Sequence, residues 1–128
     1  HMVEIFLDRD VPAMEQAWLE QAIDCCAFLC WRLATTGVRL RLVSQGVDVR
    51  LPEHGDIYSI LKFLAEAEIT RTKAAVYPQE ANSFQIVFSL AKESAADGGW
   101  RDARWLGRWA VGDQRSAVGD QRWAVGDQ

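Results

Sequence analysis

This 128-residue chain has only three cysteines and two histidines, and it lacks long apolar runs. Its three cysteines, Cys25, Cys26 and Cys30, sit close together with no distant partner, so a disulfide framework is excluded. That usage fits a reducing compartment, and a cytoplasmic location is expected. Cys26 and Cys30 would share a helix face, but no further Cys or His lies nearby to complete a metal set. They are expected to pack as small buried hydrophobes. No apolar run is long enough to cross a bilayer, and no basic-then-apolar leader opens the chain. His1-Met2 reads as a cloning remnant, and a start at Val3 leaves an upstream anchor open. An excess of positive charge is also lacking: the net charge is −4, which argues against a nucleic-acid surface. No Gly-rich phosphate loop, Ser-His-Asp set or zinc spacing occurs.

What is present is a globular composition, 49% hydrophobic and 25% charged, in a length that suits one core. The apolar run from Val3 ends at Asp8-Arg9-Asp10 and Pro12. Ligand sites of open α/β sheets form where a strand ends and the chain turns into a helix, so Asp8 and Asp10 are the candidate site residues. Pro12 suits a first helical turn, and Glu15 complements the helix dipole there. From Ala13 to Thr36, Leu19, Ala22, Ile23, Cys26, Cys30, Leu33 and Ala34 recur at helical spacing. Trp18, Cys25, Phe28 and Trp31 widen the stripe and predict a heavily buried helix, which Gly37 ends. Val38, Leu40 and Leu42 alternate with Arg39 and Arg41, then Val47, Val49 and Leu51 alternate with Asp48 and Arg50. A two-residue turn at Gln45-Gly46 would set Leu42 opposite Val49 and Leu40 opposite Leu51. A second helix is expected from Asp56 to about Glu68, with Ile57, Ile60, Leu61, Leu64 and Ala65 on one face. Residues 70–82 read as connecting chain, with a short extended piece near Ala74–Tyr77. Ser83–Leu90 reads as a second buried strand, parallel to the first. The order strand, helix, hairpin, helix, strand predicts a parallel α/β sheet with an antiparallel edge hairpin and two main helices.

Gly98-Gly99 marks a boundary between a domain over 3–98 and a tail over 99–128. Residues 1–98 carry 9 Lys+Arg against 14 Asp+Glu, whereas 99–128 carry 5 Arg against 4 Asp. The tail repeats Arg-Trp/Ser-Ala-Val-Gly-Asp-Gln with a period of seven from Arg108 to Gln128. It lacks the paired apolar positions of a coiled coil. Two readings stand side by side: a low-complexity tandem repeat without a role, or a meander of five-residue strands joined at Gly-Asp turns.

The strand ending at Asp8, the helix closing with Ala34-Thr-Thr-Gly37, the strand Val38–Val43 and the run Pro52…Gly55…Ile60-Leu61…Leu64-Ala65 together resemble a family. Val3–Glu68, about half of the chain, resembles the bacterial domain of unknown function fifty-eight, which is similar to the von Willebrand factor A fold. The resemblance implies a three-layer sheet, here truncated after the fourth strand. It also implies a metal-ion-dependent adhesion site: Asp-x-Ser-x-Ser after the first strand, a Thr in a later loop and an Asp after the fourth strand. Such a site needs hard oxygen ligands with one position open. Asp8 matches its first residue, Asp10 replaces the first Ser, and Pro12 replaces the second with no ligand. Asp56 and Ile57 stand where the Thr is wanted, and after the strand ending at Leu90 no Asp stands where one is wanted. The site is therefore degenerate, with Asp8 and Asp10 as the only candidate ligands for a divalent metal such as magnesium. Their structural alternative is to cap the first helix, Asp10 directly. The truncation would leave Ser83–Leu90 as an open edge, which invites pairing. It is expected to be covered by the tail or by a second copy of the chain.

The leading functional expectation is a non-enzymatic protein-interaction module. The resemblance implies an adaptor that works with MoxR-class AAA ATPases. One alternative is a metal-assisted hydrolase using Asp8 and Asp10, with the loop residue His54 reaching the same end of the sheet as a base. Another is a self-associating, dimeric fragment that pairs through its edge strand or tail.

Overall fold

The computed structural model describes residues 2–73, 82–91, 95–96, 99–100 and 103–107. The Gly-Asp repeats over 108–128 and the extended piece near Ala74–Tyr77 lie outside the described residues. Among the described residues the core is a five-stranded sheet in the order β3-β2-β1-β4-β5. The strands are β1 (Met2–Leu7), β2 (Arg39–Ser44), β3 (Val47–Leu51), β4 (Phe84–Phe88) and β5 (Arg104–Leu106). β1 runs parallel to both β2 and β4, β4 runs parallel to β5, and only β2 and β3 are antiparallel.

The hairpin has the register that its alternation demands: Leu40 faces Leu51 and Leu42 faces Val49. Gly46 permits the turn because it takes φ +75°, a region side chains rarely adopt. Met2 is no dangling remnant. It is buried in β1 and pairs with Arg39, because the parallel ladder reaches that far.

The helices α1 (Gln16–Thr35) and α2 (Ile57–Glu66) pack on one face of the sheet. A 3₁₀ turn over Ala13–Glu15 follows Pro12 and leads into α1. Trp18, Leu19, Ala22, Cys26 and Cys30 form the buried stripe of α1, and Ile60 and Leu64 that of α2. They meet Ile5, Leu7, Leu40, Leu42 and Phe88 from the sheet in one cluster. Full burial of one such side chain contributes roughly 1.5–3 kcal/mol. The hydrogen bond with Cys30, together with burial, pushes the Cys26 thiol well above its ordinary value. The thiol therefore stays protonated and inert, as a packing role requires.

Helix α1 is less buried than its width of apolar residues predicts. Phe28 is 60% and Trp31 42% exposed, because a helix resting on a sheet can turn only one side inward. Trp31 meets Tyr58 of α2 edge-on instead, and Arg32 lies over the Phe28 ring.

The opposite face carries the third layer. Phe6, Val43 and Val87 are covered there by Ala95 and Trp100, with Trp100 stacked on Phe6 at 5.6 Å. The outer edge of β4, expected to be covered by the tail or by a second copy, is paired with β5. The sheet thus continues past Gly98-Gly99, and the covering strand comes from this chain rather than from a second copy.

Candidate functional site

The strand order reverses at β1. Its neighbours β2 and β4 lead away on either side, and the carboxyl ends of the three parallel strands lie side by side there. Doubly wound sheets bind ligands at such a point. The residues there are Asp8-Arg9-Asp10 after β1, Ser44 and Gln45 at the end of β2, and Ser89 after β4.

Asp8 is buried and both of its carboxylate oxygens are engaged. Its Oδ1 accepts from the Gln45 amide at 2.8 Å and from the Asp10 backbone N–H at 3.0 Å. Its Oδ2 accepts from the Ser89 hydroxyl at 2.8 Å. All three donors are neutral, and among the described residues no cation pairs with Asp8. The Gln45 side chain works at both ends, since its oxygen accepts the Arg9 N–H at 2.9 Å. Ser89 is held in turn: its Oγ accepts from the Ala91 N–H and its carbonyl accepts from the Trp105 indole. β5 therefore braces the residue that donates to Asp8.

Asp10 does not cap a helix. Pro12 and Glu15 occupy the two cap positions, and neither supplies a side-chain hydrogen bond. The Asp10 N–H turns back onto Asp8, and its buried Oδ1 lies 3.1 Å from Arg71 Nε. The local turn at Asp8 redirects the chain before the helix begins, so the carboxylate cannot reach the first N–H groups of α1.

His54 lies at the other end of the sheet. β3 runs antiparallel to β2, so the loop after Leu51 emerges beside the amino end of β1. There His54 Nδ1 accepts the Arg50 N–H at 2.8 Å. The hairpin that the sequence announces is what carries this residue away from Asp8.

The residues around Asp8 do not fit a hard divalent cation as they stand. Such an ion wants six or more oxygen ligands free of competing donors. Here N–H and O–H groups occupy both Asp8 oxygens, and a guanidinium faces Asp10. Pro12 offers no side-chain ligand. Among the described residues no three His, Cys, Asp or Glu side chains converge.

A second polar cluster lies under the sheet, and the alternation of charges did not reveal it. Glu4 and Arg41 are neighbours in the parallel register and both are buried. Their ion pair measures 2.6 Å, and Arg41 grips both oxygens of Asp48 at 2.9 and 2.8 Å. Ser83 also donates to Glu4. The bidentate bond to Asp48 raises the Arg41 guanidinium further above its already high value. The same bond holds the Asp48 carboxyl below the usual range.

Sequence reasoning missed Gln45 and Ser89 as partners of Asp8. Ser89 stands directly after β4, and its hydroxyl donates to Asp8 Oδ2. In comparisons with known proteins, no family model, curated protein or solved structure matches this chain.

Proposed function

We propose that this chain is a non-enzymatic protein-interaction module of von Willebrand factor A-like type, with the mouth of the sheet around Asp8 and Asp10 as its contact surface. The resemblance of Val3–Glu68 adds the partner class, a MoxR-class AAA ATPase that the chain serves as an adaptor. The observation that carries the reading is the buried Asp8 carboxylate, held by neutral donors at the switch point of the sheet. Asp8 and Asp10 together set two carboxyl groups at the mouth, the chemistry that a partner's basic surface complements. The hydrolase alternative loses its base, because His54 stands at the opposite end of the sheet. Asp10, partly exposed beside Arg71, is the acidic group a partner's basic side chain would meet.

Calorimetry with a purified MoxR-class ATPase tests this. Binding is expected, and Asp10→Arg is expected to weaken it by about tenfold or more, as a reversed charge at a contact does. Equal affinity of Asp10→Arg and the parent chain would remove the mouth as the contact surface. A parallel titration with millimolar magnesium or manganese addresses the hydrolase reading, which needs a metal-dependent change at Asp8.

A further inference from the structure

The mouth has a cover. The chain leaves α2 at Ala67 in an extended conformation and crosses the carboxyl end of the sheet through Glu68, Ile69, Thr70 and Arg71. Two consecutive residues after β1 hold three of those four. The Arg9 guanidinium donates to the Glu68 carbonyl at 2.9 Å, and the Arg9 carbonyl accepts the Thr70 N–H at 3.0 Å. Asp10 pairs with Arg71. The remaining donors of Arg9 fasten it to the sheet, with Nε on Ser44 Oγ at 2.8 Å and Nη2 on the Gln45 carbonyl at 2.5 Å. Its planar head lies over the Phe63 ring of α2 at 5.3 Å. One side chain thus joins β2, α2 and the crossing segment.

We infer that Glu68–Arg71 is a strap latched by Arg9, and that its release uncovers Asp10 for a cationic group of the partner. This rests on the reading of the mouth as the contact surface. The strap is fastened strongly at one end and weakly at the other. Arg9 is half-buried and supplies a multi-pronged fork, which a lysine cannot reproduce. The Arg71 side chain is 63% exposed, and an ion pair so placed contributes little. Ile69 alone packs from the strap into the core. A segment with one apolar anchor and few hydrogen bonds opens without unfolding the domain. Arg71 stands on the carboxylate that an incoming guanidinium or ammonium would take, so the partner's cation and Arg71 compete for Asp10.

Amide hydrogen exchange followed by NMR tests the strap without any partner, so its outcome is separate from that of ATPase binding. Asp8 supplies the reference, because its N–H bonds to the Phe88 carbonyl inside the sheet. In the parent chain Thr70 is expected to exchange about tenfold or more faster than Asp8, as local opening requires. Arg71→Ala and Arg9→Lys are each expected to speed Thr70 further and leave Asp8 unchanged. Thr70 and Asp8 exchanging together in the parent chain overturns the strap. So does failure of both variants to move Thr70, or acceleration of the two amides alike.

Discussion

Glu4 and Asp8 stand four residues apart along the same stretch of chain, and both carboxylates are buried. Their compensation differs. Glu4 pairs with the guanidinium of Arg41, which also clamps Asp48. Asp8 takes hydrogen bonds from an amide, a hydroxyl and a backbone N–H, all neutral. The first arrangement ties three strands together and leaves nothing for a partner. The second places a carboxyl group among neutral donors at the end of the sheet. Similar burial therefore conceals different environments, and the nature of the donors tells them apart.

The sharpest way to break this contrast is Arg41→Met. It leaves Glu4 charged and buried, and unfolding free energy in urea is expected to fall by about 3–5 kcal/mol. Adding Glu4→Met should restore most of that loss, since an apolar pair replaces a buried ion pair at little cost. Asp8→Ala is expected to cost less, roughly 1–3 kcal/mol in the same assay, because it strands neutral donors and no opposite charge. Equal losses in the two variants would abolish the distinction.

Acid sharpens the contrast from another side. The folded Asp48 carboxyl lies below its ordinary value of 3.8, chiefly through its hydrogen bonds to Arg41. It releases its proton more readily in the folded state, so its contribution is fully present above the unfolded value. That contribution is lost as pH falls from about 4 through the lowered folded value. Asp48→Asn should flatten the stability profile below pH 4, as measured by urea midpoints. The smallest effect is expected from Phe28→Ala on the exposed side of α1, within about 0.5 kcal/mol.

Much of the architecture was legible in local pattern. The 3.6-residue spacing of Leu19, Ala22, Cys26 and Cys30 marks the face of α1 that meets the sheet. The alternation around Gln45-Gly46 sets the hairpin register residue by residue. The placement of Phe28 and Trp31 was not legible, because a wide apolar stripe does not say which of its edges stays in water. Nor was β5: its strand, Arg104–Leu106, is too short to show a period. At the site, the run into Asp8 pointed to the mouth of the sheet. Its donors Gln45 and Ser89 lie 37 and 81 residues away, and no spacing rule joins them.

The amino-acid order was sufficient to specify two amphipathic helices, a registered hairpin and apolar strands, because each follows from side-chain periodicity over a few neighbouring residues. Which donors meet each buried carboxyl group was settled by strand pairing across the chain. Parallel pairing set Glu4 beside Arg41 and Asp8 between Gln45 and Ser89, and the antiparallel hairpin sent His54 to the far end of the sheet. Those outcomes depend on which strands become neighbours and in what direction they run, a property of the assembled sheet and of no single segment.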